Sequence, residues 1–200
     1  MVTKTQLRII ELLLSTDTPL SIREISRRLS QSYPLVYNNI QDLHRNKILL
    51  KQEVPPAQII ALHPLADLQV LIAAENLKKE NFLCKHKWIK LFLTDFQTFS
   101  STSYFSVIVF GSYAKGKEHK SSDLDLLLVT PDNVSSAEVN SALARCYTKA
   151  KKHAVIVMER DFLEMLSKPL ELNVGNEVIK NHIILYGAEQ YYAQLKRARR

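Results

Sequence analysis

The sequence predicts an α/β chain of two domains joined by a helical segment, and three observations carry that prediction. Residues 4–43 hold apolar side chains at helical spacing in three short blocks, followed by two strand-like runs around Pro55-Pro56. Residues 65–99 keep the helical period, with no strand signal between them. From Ser106 the pattern changes to an apolar β-branched run, a polar loop and a second apolar run, and then to helical and strand-like stretches in alternation. The expected divisions are 1–63, 64–100 and 101–200.

In the first division, Lys4 to Ser15 carries Leu7, Ile10 and Leu14 on one stripe, with Ile9 and Leu13 beside them, until Thr16-Asp17-Thr18-Pro19 breaks it. Ser21 and Glu24 have capping-box spacing at the head of a second helix, whose Ile22, Ile25 and Leu29 form the inner face. After Gln31-Ser32 a third helix takes Pro34 in its first turn, where proline is tolerated, and turns Val36, Ile40 and Leu43 inward. Ile48 to Glu53 and Gln58 to Leu62 follow as strands. Two short helices with so brief a turn read as a helix-turn-helix, and residues 1–63 as a whole resemble the winged helix-turn-helix domains of prokaryotic regulators. The resemblance implies a third helix lying in the major groove of double-stranded DNA, with Tyr37, Asn38, Asn39, Gln41 and Arg45 outward. Asn and Gln can bond adenine edges in pairs, and Arg can bond guanine or phosphate. Arg23, Arg27 and Arg28 on the preceding helix could contact phosphates. Such domains also serve as dimerisation or docking modules, in which the same polar residues are only a solvated face.

In the helical segment, Leu65 to Lys79 repeats through Leu65, Leu68, Leu71 or Ile72, and Leu77. A second helix, Asn81 to Phe99, holds Phe82, Trp88, Ile89, Phe92, Leu93 and Phe96. These aromatics recur at helical spacing among apolar neighbours, so they read as core rather than as a base-stacking platform. The segment could join the domains or form the seam of a homodimer. Lys85, His86, Lys87 and Lys90 are expected on its wet side.

The stretch from Val107 to Val129, VIVFGSYAKGKEHKSSDLDLLLV, carries the chemistry. Gly111-Ser112 ends the first apolar run, and Asp123-Leu124-Asp125 opens the second. Strand alternation would aim both aspartates from one face, where two carboxylates repel unless a divalent cation sits between them. Mg²⁺ favours such oxygen-rich, partly open sites when it also holds substrate phosphates. Gly111 would let backbone approach a phosphate, and Ser112 would offer a hydroxyl and an N–H. A solvated hairpin whose aspartates merely start a strand is the plain alternative.

Gly-Ser, ten residues, then Asp-x-Asp, with a strand on each side, resembles the nucleotidyltransferases of the polymerase-β superfamily, and among them the minimal nucleotidyltransferases of prokaryotes. The resemblance covers roughly the second half of the chain and implies a small mixed sheet with helices. It implies transfer of a nucleoside monophosphate from ATP or another NTP to an acceptor, releasing pyrophosphate. Gly111 and Ser112 would hold terminal phosphates, and Asp123 and Asp125 would ligate Mg²⁺. Lys115 and Lys117 could neutralise triphosphate charge or be plain surface lysines. Active members place a third carboxylate on the next strand. Here that strand reads His153-Ala154-Val155-Ile156-Val157, and Glu159 and Asp161 come after it. His153 could act as base or ligand, although a histidine at a strand start is more often structural. The departure leaves a nucleotide-sensing regulator as an alternative to an enzyme. A third reading, also from the resemblance, is an antitoxin acting on a HEPN-type ribonuclease partner.

Beyond the motif, Val134 to Ala150 reads as a helix, Val155 to Met158 as a strand, Asp161 to Leu166 and Val174 to Asn181 as helices, and Ile183 to Tyr186 as a strand. Gly187 separates that strand from a final helix. The net charge of +7 favours anionic partners without choosing among them, and part of it sits in the terminal Lys196-Arg197-Ala198-Arg199-Arg200. Cys84 and Cys146 stand too far apart in sequence for a disulfide framework or a metal knuckle. MVTKTQLRII lacks a signal-peptide pattern and no apolar run is long enough to span a bilayer. The expectation is a soluble cytoplasmic protein.

Overall fold

The computed structural model describes residues 2–16, 18–55, 57–101 and 105–198, and the chain divides into two units, Met1–Lys78 and Lys79–Arg200. Of the expected turns and basic tail, Asp17, Pro56, Arg199 and Arg200 lie outside the described residues.

The first unit runs α1 (Lys4–Leu14), β1 (Leu20–Ser21), α2 (Ile22–Leu29), α3 (Tyr33–Arg45), β2 (Leu49–Val54) and β3 (Ala57–Leu62). Thr3 caps α1 in both directions, its hydroxyl accepting from the Gln6 N–H and its own N–H donating to the Gln6 side chain. At α2 the Ser21 hydroxyl accepts from the Glu24 N–H at 3.2 Å. The return half of the expected capping box is missing there, because the Glu24 carboxylate is taken by Arg27 and Arg28. The strands form an antiparallel sheet of order β1-β3-β2, with Leu20 opposite Ile60 and Leu49 opposite Leu62. Ile9, Ile10, Ile25, Val36, Ile40, Leu49 and Ile60 are all fully buried in one cluster, so the three helical stripes meet one face of this sheet. Each such side chain contributes about 1.5–3 kcal/mol on removal from water.

Helix α4 (Leu68–Lys85) crosses the division between units, placing Ala74 in the first core and Phe82 and Leu83 in the second. The sequence pattern suggested a break near Lys79; the break comes at His86, the single residue before α5 (Lys87–Phe99). No Gly or Pro lies between 65 and 99 to stop the helix earlier, and burial of Phe82 and Leu83 rewards its continuation. Ile89, Phe92 and Phe96 are at most 1% exposed and lie in the second core, so the apolar face of α5 is spent inside its own unit.

The second unit continues with β4 (Ser106–Val109), α6 (Gly111–Ala114), β5 (Leu124–Thr130), α7 (Ser136–Arg145), β6 (Lys152–Met158), α8 (Glu159–Ser167), α9 (Val174–Lys180), β7 (Ile183–Tyr186) and α10 (Ala188–Ala198). The sheet order is β6-β5-β4-β7. Strands β5 and β6 are parallel, and β4 pairs antiparallel with both β5 and β7. The central pair is covered on both faces, which explains why VIVF and LLLV are continuous rather than alternating. Val107, Val109, Leu124, Leu126 and Leu128 pack with α5 and α7. Ile108, Leu127 and Val129 pack with Phe162, Val178 and Tyr191 on the other side. Strand alternation assigns Asp125 to this second face, at its N-terminal edge. No helix among the described residues is long and apolar enough to cross a membrane.

Candidate functional site

Strand β5 starts at Leu124, so Asp125 is its second residue and Asp123 stands at its threshold. Asp123 thus precedes the strand by one residue, and Asp125 lies within it. The turn before Asp123 is closed by Ser122, whose hydroxyl accepts from the His119 N–H and whose N–H donates to the His119 carbonyl. The Leu124 N–H donates to the Lys151 carbonyl and the Phe110 N–H to the Asp125 carbonyl. Backbone hydrogen bonds thus fix Asp125 between the end of β4 and the start of β6.

Gly111 lies directly against this carboxylate. Its φ is +67°, and a Cβ built there would stand 2.1 Å from Asp125 Oδ2. Sequence reasoning gave this glycine to a phosphate; its first neighbour in the structure is Asp125. Only a residue without a side chain satisfies both the left-handed backbone and the contact.

On the other side of Asp125 stands His153. The strand read from His153 to Val157 is β6, which begins one residue earlier, at Lys152, and pairs His153 with Asp125 in parallel register. His153 Nδ1 lies 3.3 Å from Asp125 Oδ1, with side-chain exposures of 67% and 27%. A histidine so exposed is not packed into the core. Glu159 and Asp161 lie beyond Met158, which pairs with Thr130 at the far end of the same strands. No carboxylate therefore occupies the third position. Among the described residues no group of three or more His, Cys, Asp or Glu side chains is placed to hold a metal.

Ser112 is half-buried in α6, and Lys115 and Lys117 are exposed. Lys115 Nζ lies 3.5 Å from Glu177 Oε1 on α9, a neighbour that no local sequence pattern announces. Tyr113 anchors α6 from behind, with its ring edge-on to His86 at 5.4 Å and to Trp88 at 6.2 Å. His86 was expected on a wet face. Instead the helix break turns it inward, its side chain 15% exposed and its Nε2 3.4 Å from Glu118 Oε1. Burial holds the His86 imidazole below its ordinary range, with Glu118 opposing that effect. Burial also raises the Tyr113 phenol, and Glu118 adds to it.

The expected DNA-facing side chains lie on α2 and α3 of the first unit, and several already have intramolecular partners. Arg27 and Arg28 both bind Glu24, whose carboxyl is held down to about 2, chiefly by hydrogen bonds from Arg27 and then Arg28. Arg45 pairs with Asp42. Gln41 accepts from Lys51 Nζ at 2.8 Å, and the Asn39 amide donates to the Leu35 carbonyl at 2.8 Å. Asn38 is exposed, as is Tyr37, which stacks on Tyr33 at 6.0 Å.

Residues 89–184 match the family model of the nucleotidyltransferase domain, a segment that includes Gly111, Ser112, Asp123, Asp125 and His153. A relative in Methanocaldococcus jannaschii, provisionally named a protein adenylyltransferase, is 31% identical over 85 residues. That alignment covers 42% of this chain and 57% of the relative, so the chain spans little more than half of the relative's length. No solved structure matches the chain. The C-terminal half of this protein carries a nucleotidyltransferase domain.

Proposed function

We propose that the second unit transfers a nucleoside monophosphate from an NTP to an acceptor hydroxyl, and that the first unit is a winged helix-turn-helix that binds double-stranded DNA. The observation that carries the transferase reading is Asp125, held between the bare backbone of Gly111 and the imidazole of His153 inside the matched segment. In the reaction the acceptor hydroxyl releases its proton to solvent as its oxygen bonds to the α-phosphorus, the bond from that phosphorus to the bridging oxygen breaks, and pyrophosphate leaves. Gly111 and Ser112 would seat the terminal phosphates, while Lys115 would exchange Glu177 for triphosphate oxygens.

The donor set fits a divalent cation shared with the nucleotide. Asp123 and Asp125 would supply carboxylate oxygens, and phosphate oxygens and water would complete the shell, since no group among the described residues cages a metal by itself. Such a cation neutralises charge that builds on the phosphoryl oxygens. The relative's name favours a protein side chain as acceptor, and a HEPN-type ribonuclease is one partner of that kind.

One observation favours a second reading. The third carboxylate position holds His153, so the domain would bind nucleotide and report it to the DNA-binding unit without turnover. Incubation with α-labelled ATP and a panel of acceptor proteins separates the two. Label on protein, lost in Asp125→Asn, supports transfer. Nucleotide binding without label, with DNA affinity that changes on adding ATP, supports sensing.

A further inference from the structure

We propose that His86 and Glu118 are positioning residues for the nucleotide, bracing the Gly111–Ser112 turn from behind so that its phosphate-facing groups stay in place. The inference rests on the nucleotide-binding reading of the second unit and concerns what holds that turn.

The turn cannot hold itself. Helix α6, which begins with Gly111 and Ser112, has only 4 residues, far short of the length at which a helix is stable alone. Its backbone runs on into the loop through three hydrogen bonds. The Lys115 N–H donates to the Gly111 carbonyl, the Gly116 N–H to the Tyr113 carbonyl and the Lys117 N–H to the Ser112 carbonyl. Helix and loop are thereby tied into one piece, and two of its side chains meet at a single residue behind it. Tyr113 sets its ring edge-on against His86 at 5.4 Å. Glu118 reaches the same residue from farther along the loop, with Oε1 3.4 Å from His86 Nε2. His86 is in turn held by the Phe82 ring, 4.6 Å away between centroids, at the break between α4 and α5.

Packing alone does not account for Glu118. Its Oε2 is buried and has no hydrogen-bond partner among the described residues. Burial holds the facing imidazole below its ordinary range, which weakens it as a counter-charge. A half-satisfied buried carboxylate costs stability that an apolar side chain of the same length would not. What Glu118 supplies in exchange is a directional contact, and that contact fixes the loop joining Gly111-Ser112 to Asp123 against the helix break.

The test titrates ATP with Mg²⁺ into the full chain by calorimetry, beside variants that remove the contact and keep the volume. These are Glu118→Met, and His86→Phe, which retains a ring against Phe82 and Tyr113. Each is first shown to be folded by its Trp88 urea transition, so that affinity is read on native protein. Each should bind roughly 10–100-fold more weakly, the equivalent of one lost hydrogen bond to a charged phosphate. The double variant should bind no more weakly than the worse single one, because both remove the same contact. Glu118→Gln keeps an oxygen that accepts from His86 and should retain most of the wild-type affinity. Wild-type affinity in either folded contact variant, losses that add in the double variant, or a loss in Glu118→Gln as large as in Glu118→Met overturns the proposal and leaves the nucleotide site standing. No ATP binding in the wild type overturns the nucleotide reading together with it.

Discussion

Substitution of Gly111 by alanine separates the two demands placed on that residue, because a second glycine supplies the control. Gly111 and Gly116 have nearly the same backbone, φ +67° and +62°. A Cβ at Gly116 meets nothing within 4 Å, whereas one at Gly111 stands 2.1 Å from Asp125 Oδ2 and 3.0 Å from its Cγ. Gly116→Ala therefore carries only the left-handed strain, about 1 kcal/mol. Gly111→Ala carries that and an overpacking cost of about 1–3 kcal/mol. With a urea m-value of about 2 kcal/mol/M, the midpoints should fall by about 0.5 M and about 1–2 M. The single tryptophan, Trp88, packs against the core of the second unit, so its fluorescence reports the unfolding of that unit. Pushing the carboxylate aside should also weaken metal-dependent nucleotide binding at least tenfold, about 1.4 kcal/mol, in Gly111→Ala and not in Gly116→Ala. Equal midpoints for the two variants, or full nucleotide affinity in Gly111→Ala, would refute the reasoning.

Other consequences follow from particular contacts. Ser135 and Glu138 cap α7 reciprocally, so Ser135→Ala should cost about 1 kcal/mol in the same Trp88 assay; no shift in midpoint would show the cap to be idle. The folded-state carboxyl of Glu24 is held below its ordinary value of 4.5, at about 2. Its contribution is present above the ordinary value and is lost as pH falls through that window. Circular dichroism melts of Glu24→Gln should be less acid-sensitive between about pH 4.5 and 2 than those of the wild type. His86 is shifted the other way relative to its charge: burial disfavours the imidazolium, so the unfolded chain takes the proton first. Stability of the second unit should therefore fall as pH drops below the ordinary histidine value of 6.5, and His86→Phe should flatten that dependence; an unchanged urea-midpoint profile would contradict it.

Much of this molecule is legible in its sequence because the periods are clean. The stripes Ile22, Ile25 and Leu29, and Val36, Ile40 and Leu43, name two helices and their buried faces, and α2 and α3 appear where those stripes lie. The runs VIVF and LLLV mark a central strand pair because burial on both faces removes the need for polar alternation. The start of β6 is harder to read. Lys152, His153 and Ala154 do not look like a buried strand, because this end of β6 is exposed and backbone pairing with β5 holds it instead. The parallel register, rather than the composition of the strand, is what puts His153 opposite Asp125. The break at His86 and the ion pair between Lys115 and Glu177 depend on tertiary packing and have no local signal. Gly111 was singled out correctly as a special position, but its nearest constraint is a carboxylate 14 residues ahead in sequence.

The most direct test of the central claim is calorimetric titration of ATP into the full chain, with and without divalent cation, beside Asp123→Asn and Asp125→Asn. The account predicts cation-dependent binding in the wild type that both variants lose, while their Trp88 unfolding transitions persist. Binding that needs no cation, or that survives in both variants, would contradict it.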